Sequence, residues 1–235
     1  VGVIAVDPSS RISGGALLGD RTRLTSDPAD GGLYFRSLAA RDRLGGLADL
    51  AFPSVVLFRA LFDRVLVESV GVGQSEAEIT AVADTVMLCV QPGSGDSLQF
   101  MKAGIVEIPH IAVVTKADLG AAAGRALADL KGALSLAAGS NQADGWEIAT
   151  LAVAAARGTG LDDLVAALEA RAAWLDAGGR LAAARHAQAE AWVRDSVRDR
   201  FGRVGLAAAG AADLALPAGH SPFSRLAEVS LTLGR

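Results

Sequence analysis

Three groups of polar residues, each containing a carboxylate, come directly after short apolar runs of the sequence. Glu68 follows RVLV and precedes the glycine turn VGVG, and Asp7 closes the run VGVIAVD. Asp118 ends the third group, VVTKAD. Ligands collect at the carboxyl ends of the strands in a parallel sheet. If the three runs are strands of one such sheet, the three carboxylates lie along one edge, where a nucleotide and its metal could bind.

The first two groups contain the residue types that phosphate and magnesium chemistry requires. Asp7, Asp20 and Glu68 are hard oxygen donors of the kind that Mg²⁺ prefers. Gly71 could bring a backbone N–H against a phosphate oxygen because it has no Cβ, and Arg23 could neutralise phosphate charge. Each group taken alone is also explained by a turn, either through glycines with positive φ or through an Asp-Pro pair that starts a turn.

The third group has the chemistry of a guanine-binding loop. A carboxylate at Asp118 can accept hydrogen bonds from both the ring N–H and the exocyclic amine of guanine, whereas adenine offers no such pair. Lys116 can lay its apolar stem over the plane of the base. The alternative is a loop aspartate that caps the next helix. That alternative loses weight because the other two groups also follow apolar runs.

The elements around these residues predict a doubly wound α/β fold with a mainly parallel sheet. Runs that are apolar almost throughout suit strands buried on both faces, and the segments between them suit crossover helices. The predicted strands are VGVIAVD (1–7), DRVLVES (63–69), TVMLCVQ (85–91), IAVVTKAD (111–118) and EIATLAVAA (147–155). A capping-box pattern predicts a helix from Ser75. Apolar residues at three- and four-residue steps predict another over 161–175.

A second helix, rich in alanine and arginine, is predicted over 180–201. It follows the last strand and has no further strand to return to. We therefore expect a helical arm that packs on the domain or on a second copy. The predicted organisation is a domain over 1–176, followed by the arm and tail over 177–235.

Composition limits the classes of partner. The chain has 235 residues, of which 51% are hydrophobic and 20% charged, with a net charge of −4. No basic excess is available to neutralise a nucleic-acid backbone, and no apolar stretch approaches the roughly 18 residues of a membrane span. We expect a cytoplasmic protein that binds neither nucleic acid nor membrane. The single cysteine, Cys89, is expected to be a buried, inert thiol.

Together these motifs resemble the methylmalonyl-CoA mutase-associated GTPases, the MeaB/ArgK group of P-loop GTPases. The strings VGVIAVDPSS, GGALLGDRTRL, LGGLA, VLVESVGVGQSE, QPGSGDSLQFMKAGIVEI, TKAD and GTGLDDL occur in the order and approximate spacing of that family. The resemblance implies GTP or GDP and Mg²⁺ as cofactors and slow GTP hydrolysis. It also implies a homodimeric chaperone that gates the loading and protection of an adenosylcobalamin-dependent acyl-CoA mutase.

The resemblance assigns roles to individual residues. Asp7, Asp20 and Glu68 would serve the metal and the attacking water. The residues that would bind the nucleotide are Arg23, Ser69 and Gly71 on the phosphate side, and Thr115, Lys116, Asp118, Ala154, Ala155 and Ala156 around the guanine. The helical arm resembles the segment through which family members dimerise.

The chain departs from the family in one major respect. The Walker A loop, Gly-x-x-x-x-Gly-Lys-Ser/Thr, is missing, because the pair Gly-Lys occurs nowhere in the sequence. Without its backbone cradle and lysine the phosphates lose their main anchor, so we expect the chain to bind nucleotide poorly or not at all. It also starts inside a strand-like run without an initiator methionine, which favours a fragment of a longer protein over a domain that has discarded the loop.

Two smaller departures lie in the site, where Thr115 stands in place of the usual Asn and Ser69 in place of the usual Thr. The Asn-to-Thr change removes an amide that braces the guanine loop against the phosphate loop.

Two other functions remain open. The chain could be a non-catalytic module that docks on a mutase or on itself. A nickel-delivery GTPase is disfavoured, because such proteins need His- or Cys-rich segments.

Overall fold

The structure is a computed structural model. It describes residues 1–7, 30–39, 50–69, 76–93, 107–141 and 145–234. The chain divides into two compact units, Val1–Trp174 and Leu175–Arg235. Among the helices of the described ranges, none combines the length and the apolarity needed to cross a membrane.

In the described ranges, the first unit contains two three-stranded sheets, and every strand pairing in them is parallel. The first sheet has the order β2-β1-β3. Its strands are β1 (Gly2–Asp7), β2 (Tyr34–Ala39) and β3 (Val65–Ser69). Helix α1 (Ala51–Leu61) buries Phe52, Val55 and Phe58. The central strand β1 is the most buried of the three, since Ile4 and Val6 have no exposed surface.

An aromatic cluster closes the amino end of the first sheet. Tyr34 on β2 contacts Phe58 and Phe62, with ring centroids 5.6 and 5.9 Å apart. Gly2 pairs with Tyr34 across the sheet. A Cβ on Gly2 would lie 2.6 Å from both phenylalanine rings, so only glycine lets the strand approach them this closely.

The second sheet has the order β4-β5-β6, with β4 (Met87–Val90), β5 (Ile111–Val114) and β6 (Ala149–Ala152). Helix α2 (Ala121–Asn141) covers one face, where Ala112 and Val114 pack with Leu130 and Leu134. Helix α3 (Leu161–Asp176) packs against the other face, through contacts with Ile111 and Val113. Helices on both faces of a parallel sheet confirm the predicted α/β class.

A buried arginine anchors α3 at the amino end of this sheet. Arg171 is 3% exposed, and its guanidinium carbon lies 5.0 Å from the ring centroid of Trp146 and 4.3 Å from that of Trp174. The Trp146 Nε1–H donates to the carbonyl oxygen of His110 at 2.8 Å. The Val86 N–H donates to Nδ1 of His110 at 2.9 Å. These contacts join α3 to the starts of β4 and β5.

The second unit is built on α4 (Arg180–Leu214) and α5 (Pro222–Leu233). The predicted helix over 180–201 forms the first part of α4. Gly202 and Gly210 interrupt α4, each with a φ of 68°. The two helices share an apolar cluster that includes Val197, Leu214 and Val229.

Three parts of the sequence interpretation need correction. The segment after Ser75 forms a short 3₁₀ helix, Glu76–Ala81, instead of the predicted α-helix, and Ser75 itself lies outside the described residues. The Val82 N–H donates to the carbonyl oxygen of Ile79, three residues back, at 3.2 Å, which is the hydrogen-bond pattern of a 3₁₀ helix, and such helices are short. Strand β2 was not predicted, because YFRSLA mixes polar and apolar residues and has no continuous apolar run; in the structure its residues are exposed at two positions and partly or fully buried at the others.

The expectation that Cys89 is buried is also wrong. Cys89 is exposed on β4, as is Met87, which is 40% exposed. The alternate residues Leu88 and Val90 face α2, so Cys89 lies on the opposite face of an edge strand. Although the residue is exposed by surface area, the surrounding protein atoms desolvate its thiolate, and this burial raises the pKa of the Cys89 thiol.

The core of the second sheet yields a stability prediction. Ile111→Ala removes a side chain with no exposed surface, and we expect it to lower the free energy of unfolding by about 2–5 kcal/mol. Urea denaturation followed by circular dichroism measures the change. The control is Leu136→Ala on α2, where the leucine is 75% exposed and a change within about 0.5 kcal/mol is expected. Equal losses in the two variants would contradict the assignment of the core.

A second prediction concerns the thiol. A raised pKa leaves less thiolate at a given pH, so iodoacetamide should alkylate Cys89 more slowly at pH values near 8 than it alkylates free cysteine. The rate should keep rising at alkaline pH values where free cysteine has levelled off. The urea-unfolded chain serves as the control and should follow the profile of free cysteine. A folded chain with that same profile would show that the thiol is not desolvated.

Candidate functional site

The predicted site residues lie at the carboxyl ends of strands in both sheets, except for three that the structure does not describe. Asp20, Arg23 and Gly71 lie outside the described residues. Asp7 is described only as the last residue of β1. The remaining predicted residues can be placed individually.

At the first sheet, the structure brings Asp7, Glu68 and Ser69 to adjacent strand ends. Val6 pairs with Ser69, and Ala5 pairs with Glu68, so Asp7 follows directly after the paired positions. Glu68 is exposed and Ser69 is partly buried. Within the described part of the chain, no group of three or more His, Cys, Asp or Glu side chains forms a metal site. The predicted metal ligands include Asp20, which falls outside that part.

At the second sheet, the loop 115–118 follows β5 and is held by the strands on both sides. The backbone N–H of Thr115 donates to the carbonyl oxygen of Val90 at 2.8 Å, and the Thr115 hydroxyl donates to the same oxygen at 3.3 Å. On the other side, the Ala117 N–H donates to the carbonyl oxygen of Val153 at 3.0 Å. We refer to residues 115–118 as the base loop.

Lys116 has an unusual backbone conformation within the base loop. Its φ of 53° and ψ of 43° lie in the left-handed region, and among the described residues no other side-chain-bearing residue has a positive φ. Such a conformation costs about 1–3 kcal/mol and persists where surrounding contacts enforce it. Here the residues on either side are held by their backbone hydrogen bonds, from Thr115 to Val90 and from Ala117 to Val153. The Lys116 side chain donates from Nζ to Gln91 Oε1 at 2.8 Å. The strain therefore falls where the sequence predicts base recognition.

Asp118 lies beside the loop that follows β6. Its Oδ2 is 3.9 Å from Nε of Arg157, and the two side chains are 31% and 69% exposed, respectively. A pair this exposed contributes little to stability, so a ligand can displace the arginine from the carboxylate. The Asp118 carboxylate is therefore accessible to hydrogen-bond donors of a bound base.

The segment Ala154–Ala156 forms a tight turn after β6. Ala154 exchanges two backbone hydrogen bonds with Thr159, and Ala154 is buried whereas Ala155 and Ala156 are exposed. Gly160, with a φ of 75°, packs against the carbonyl of Ala152 where a Cβ would clash. The glycine thus allows the turn to fold back, close to Asp118 and Arg157.

The structure therefore forms two groups of predicted site residues, one at each sheet. Asp7, Glu68 and Ser69 belong to the first sheet, and the base loop with Ala154–Ala156 belongs to the second. No pairing between described strands joins the two sheets. Convergence of Asp7, Glu68 and Asp118 on a single pocket stays a prediction.

Sequence reasoning overlooked two residues that contact the base loop. Gln91 directly follows β4, and Arg157 lies in the turn after β6. The signal that could have found them is the one used for the other residues, namely a polar side chain just beyond the end of an apolar run. Their partners lie far away in the sequence, so the contacts themselves were not visible there.

Comparisons with known proteins place these features in a family. A family model described as methylmalonyl Co-A mutase-associated GTPase MeaB matches residues 1–209. A putative GTPase of Pyrococcus horikoshii is 40% identical over 195 residues, which is 83% of this chain and 61% of the relative. The methylmalonic aciduria type A homolog of Mus musculus is 34% identical, covering 84% of this chain and 48% of the relative.

Further comparisons agree on family and fold. GTPase ArgK of Escherichia coli is 33% identical over 85% of this chain and 60% of the relative. A crystal structure of an LAO/AO transport system kinase matches with a TM-score of 0.60 and 22% identity, covering 100% of this chain and 72% of that one; this likeness concerns the fold alone. The chain spans at most about three fifths of the length of these curated relatives. It belongs to the MeaB/ArgK family of methylmalonyl-CoA mutase-associated GTPases.

Proposed function

We propose that the protein containing this chain binds GTP with Mg²⁺, hydrolyses it slowly, and acts as a chaperone of an adenosylcobalamin-dependent methylmalonyl-CoA mutase. The observation that carries the nucleotide part is the base loop, in which Lys116 and Asp118 follow a buried parallel strand and are fixed by its two neighbours. Membership in a GTPase family supports the same function. The mutase partner rests on the family's name.

Base recognition is proposed to use charge and shape together. The Asp118 carboxylate would accept hydrogen bonds from the ring N–H and the exocyclic amine of guanine. The bound base would thereby displace Arg157 from that carboxylate. The stem of Lys116 would cover one face of the base. Ala154, Ala155 and Ala156 would offer backbone groups at its edge, with Thr115 supporting the loop from β4. Adenine would leave the carboxylate without donors, and that loss is the source of specificity.

Phosphate and metal binding are proposed for the first sheet. Asp7, Asp20 and Glu68 form a donor set made up entirely of carboxylates, which suits Mg²⁺. When bound, Mg²⁺ would neutralise phosphate charge and orient the γ-phosphate. Glu68 would position the attacking water, Ser69 and Gly71 would lie beside the γ-phosphate, and Arg23 would neutralise phosphate charge. Because no residue of the sequence stands out as an arginine finger, the expected hydrolysis is slow.

We further propose that the 235-residue chain alone binds nucleotide weakly, as a fragment of a longer protein that supplies the phosphate loop. The absence of a Gly-Lys pair from the sequence supports this. So do Leu66 on β3 and Met87 on β4, which are 54% and 40% exposed, although strands of parallel sheets are normally covered on both faces. A phosphate-loop segment that packs on these strands would bury them.

The second unit is proposed to be an arm for self-association. We assign 1–176 to a GTPase domain and 177–235 to a dimerisation arm and tail, in a cytoplasmic homodimer. Exposed apolar side chains on the arm support this role. Val204 is 83% exposed and Leu231 is 69% exposed, and their burial in a dimer would be favourable.

A non-catalytic module is the second candidate function. The missing Walker A loop favours it directly, since a GTPase without that loop lacks its phosphate anchor. Such a module would retain the sheets and the arm, and it would dock on a mutase or on a second copy. Nucleotide titration distinguishes the two functions when the longer protein is measured beside this chain.

The guanine assignment predicts a change of base preference. In the longer protein, Asp118→Asn should weaken GTP binding about 10- to 100-fold, because a charged acceptor of two hydrogen bonds is lost. It should strengthen binding of xanthosine triphosphate, which lacks the 2-amino group. Competition with fluorescent analogues measures both affinities. The same substitution at Asp129, exposed on α2, is the matched control, and an unchanged base preference in Asp118→Asn would refute the assignment.

The missing phosphate loop gives a separate prediction. Titrated with a fluorescent GTP analogue and Mg²⁺, the 235-residue chain should show no binding in the micromolar range. The longer protein should bind under the same conditions and hydrolyse GTP. Micromolar, Mg²⁺-dependent binding by the chain alone would mean that another element anchors the phosphates.

A further inference from the structure

The base loop is supported by Val90, the last residue of β4, and by Gln91, which directly follows it. Thr115 donates to the carbonyl oxygen of Val90 through its backbone N–H and through its hydroxyl. Lys116 donates from Nζ to Oε1 of Gln91 at 2.8 Å. The side chains of Thr115 and Lys116 are thus joined to the last residue of β4 and to the residue that follows it, respectively.

The Lys116 side chain needs such support if it is to cover a base. An exposed lysine stem has several freely rotating bonds, and ordering it costs conformational entropy. The left-handed backbone of Lys116 sets the direction in which the side chain leaves the loop. A hydrogen bond at the far end then fixes both ends of the stem.

Gln91 is well placed to provide that fixed end. It directly follows Val90, which is 6% exposed and pairs with Val114 of β5. The backbone beneath Gln91 is therefore held by the same sheet that carries the base loop. The acceptor and the donor are positioned by adjacent strands, and the contact does not depend on any residue of a phosphate loop.

We propose that Gln91 is a positioning residue of the guanine site, holding the Lys116 side chain across the base pocket before the nucleotide arrives. The inference rests on the proposed function, since it takes guanine as the ligand. It adds that the base-binding half of the site is preformed in this chain without the phosphate loop. Guanosine should therefore bind weakly to the chain, in the millimolar range, with Gln91 contributing through Lys116.

The first test observes the lysine directly and needs no nucleotide. The sequence contains three lysines, Lys102, Lys116 and Lys131, so side-chain ammonium NMR signals can be assigned with Lys116→Arg. The Lys116 ammonium should exchange with water more slowly than that of Lys131, which is exposed on α2. Gln91→Leu, of similar size but without an acceptor, should raise the Lys116 rate to that of Lys131. Gln91→Glu, which retains an acceptor, should preserve the protection.

The second test measures the ligand. Guanosine is the probe because it carries no phosphate with which the new charge of Gln91→Glu could interfere. Chemical-shift titration of the ¹⁵N-labelled chain should show guanosine binding about 2- to 10-fold weaker in Gln91→Leu than in the wild type. Gln91→Glu should retain the wild-type affinity, and Asp129→Asn on α2 should leave it unchanged.

The outcomes separate this inference from the proposed function. If Gln91→Leu leaves either the Lys116 exchange rate or the guanosine affinity unchanged, Gln91 does not position the site. If the wild-type chain binds no guanosine at millimolar concentration, the base half is not preformed and the inference is overturned. If Asp118→Asn binds guanosine as well as the wild type does, the guanine assignment fails. The lysine exchange result then still decides whether Gln91 holds Lys116.

Discussion

The burial of β5 between two helices is the constraint on which the second sheet and its candidate site depend. Ile111 and Val113 face α3, and Ala112 and Val114 face α2. A shift of one residue would exchange the two faces and misfit both cores. Because the strand is fixed in this way, the point at which Thr115 leaves the sheet is fixed too. The position of the whole base loop follows from that packing.

The two ends of β5 serve different purposes. At the amino end, the carbonyl oxygen of His110 accepts from Trp146, which packs with Arg171 and Trp174 near the carboxyl-terminal end of α3. At the carboxyl end, the chain carries polar side chains and a strained lysine. Packed aromatic side chains and Arg171 hold the amino end of β5. Hydrogen bonds from Thr115 and Ala117 to neighbouring segments hold the carboxyl end, where the strained lysine lies. A strained residue that is held in place by surrounding contacts is typical of a binding site that is formed before its ligand arrives.

Each exposed polar contact of the base loop is weak by itself, but together these contacts hold the loop from two sides. The Asp118–Arg157 pair and the Lys116–Gln91 bond both join the base loop to the segments that follow its neighbouring strands. Together with backbone bonds to Val90 and Val153, they hold the loop from both sides. A loop held in this way loses little further entropy when a ligand binds.

The sequence by itself located β1, β3, β4, β5 and β6, because each is a short apolar run. The expected burial on both faces holds along the whole of β5, whereas β3 and β4 alternate with exposed positions. The sequence also determined the family, through motifs that stay in order along the chain. It did not reveal β2, where only a part of each face is covered. It also did not reveal the exposure of Cys89, which lies on the face of β4 opposite α2, where α3 packs on residues of β5 and β6. Only the tertiary structure could join Gln91 to Lys116 and Arg157 to Asp118. Each of these pairs meets because separate strands end at the same edge of a sheet, and that proximity is a property of strand order, which local sequence patterns do not encode.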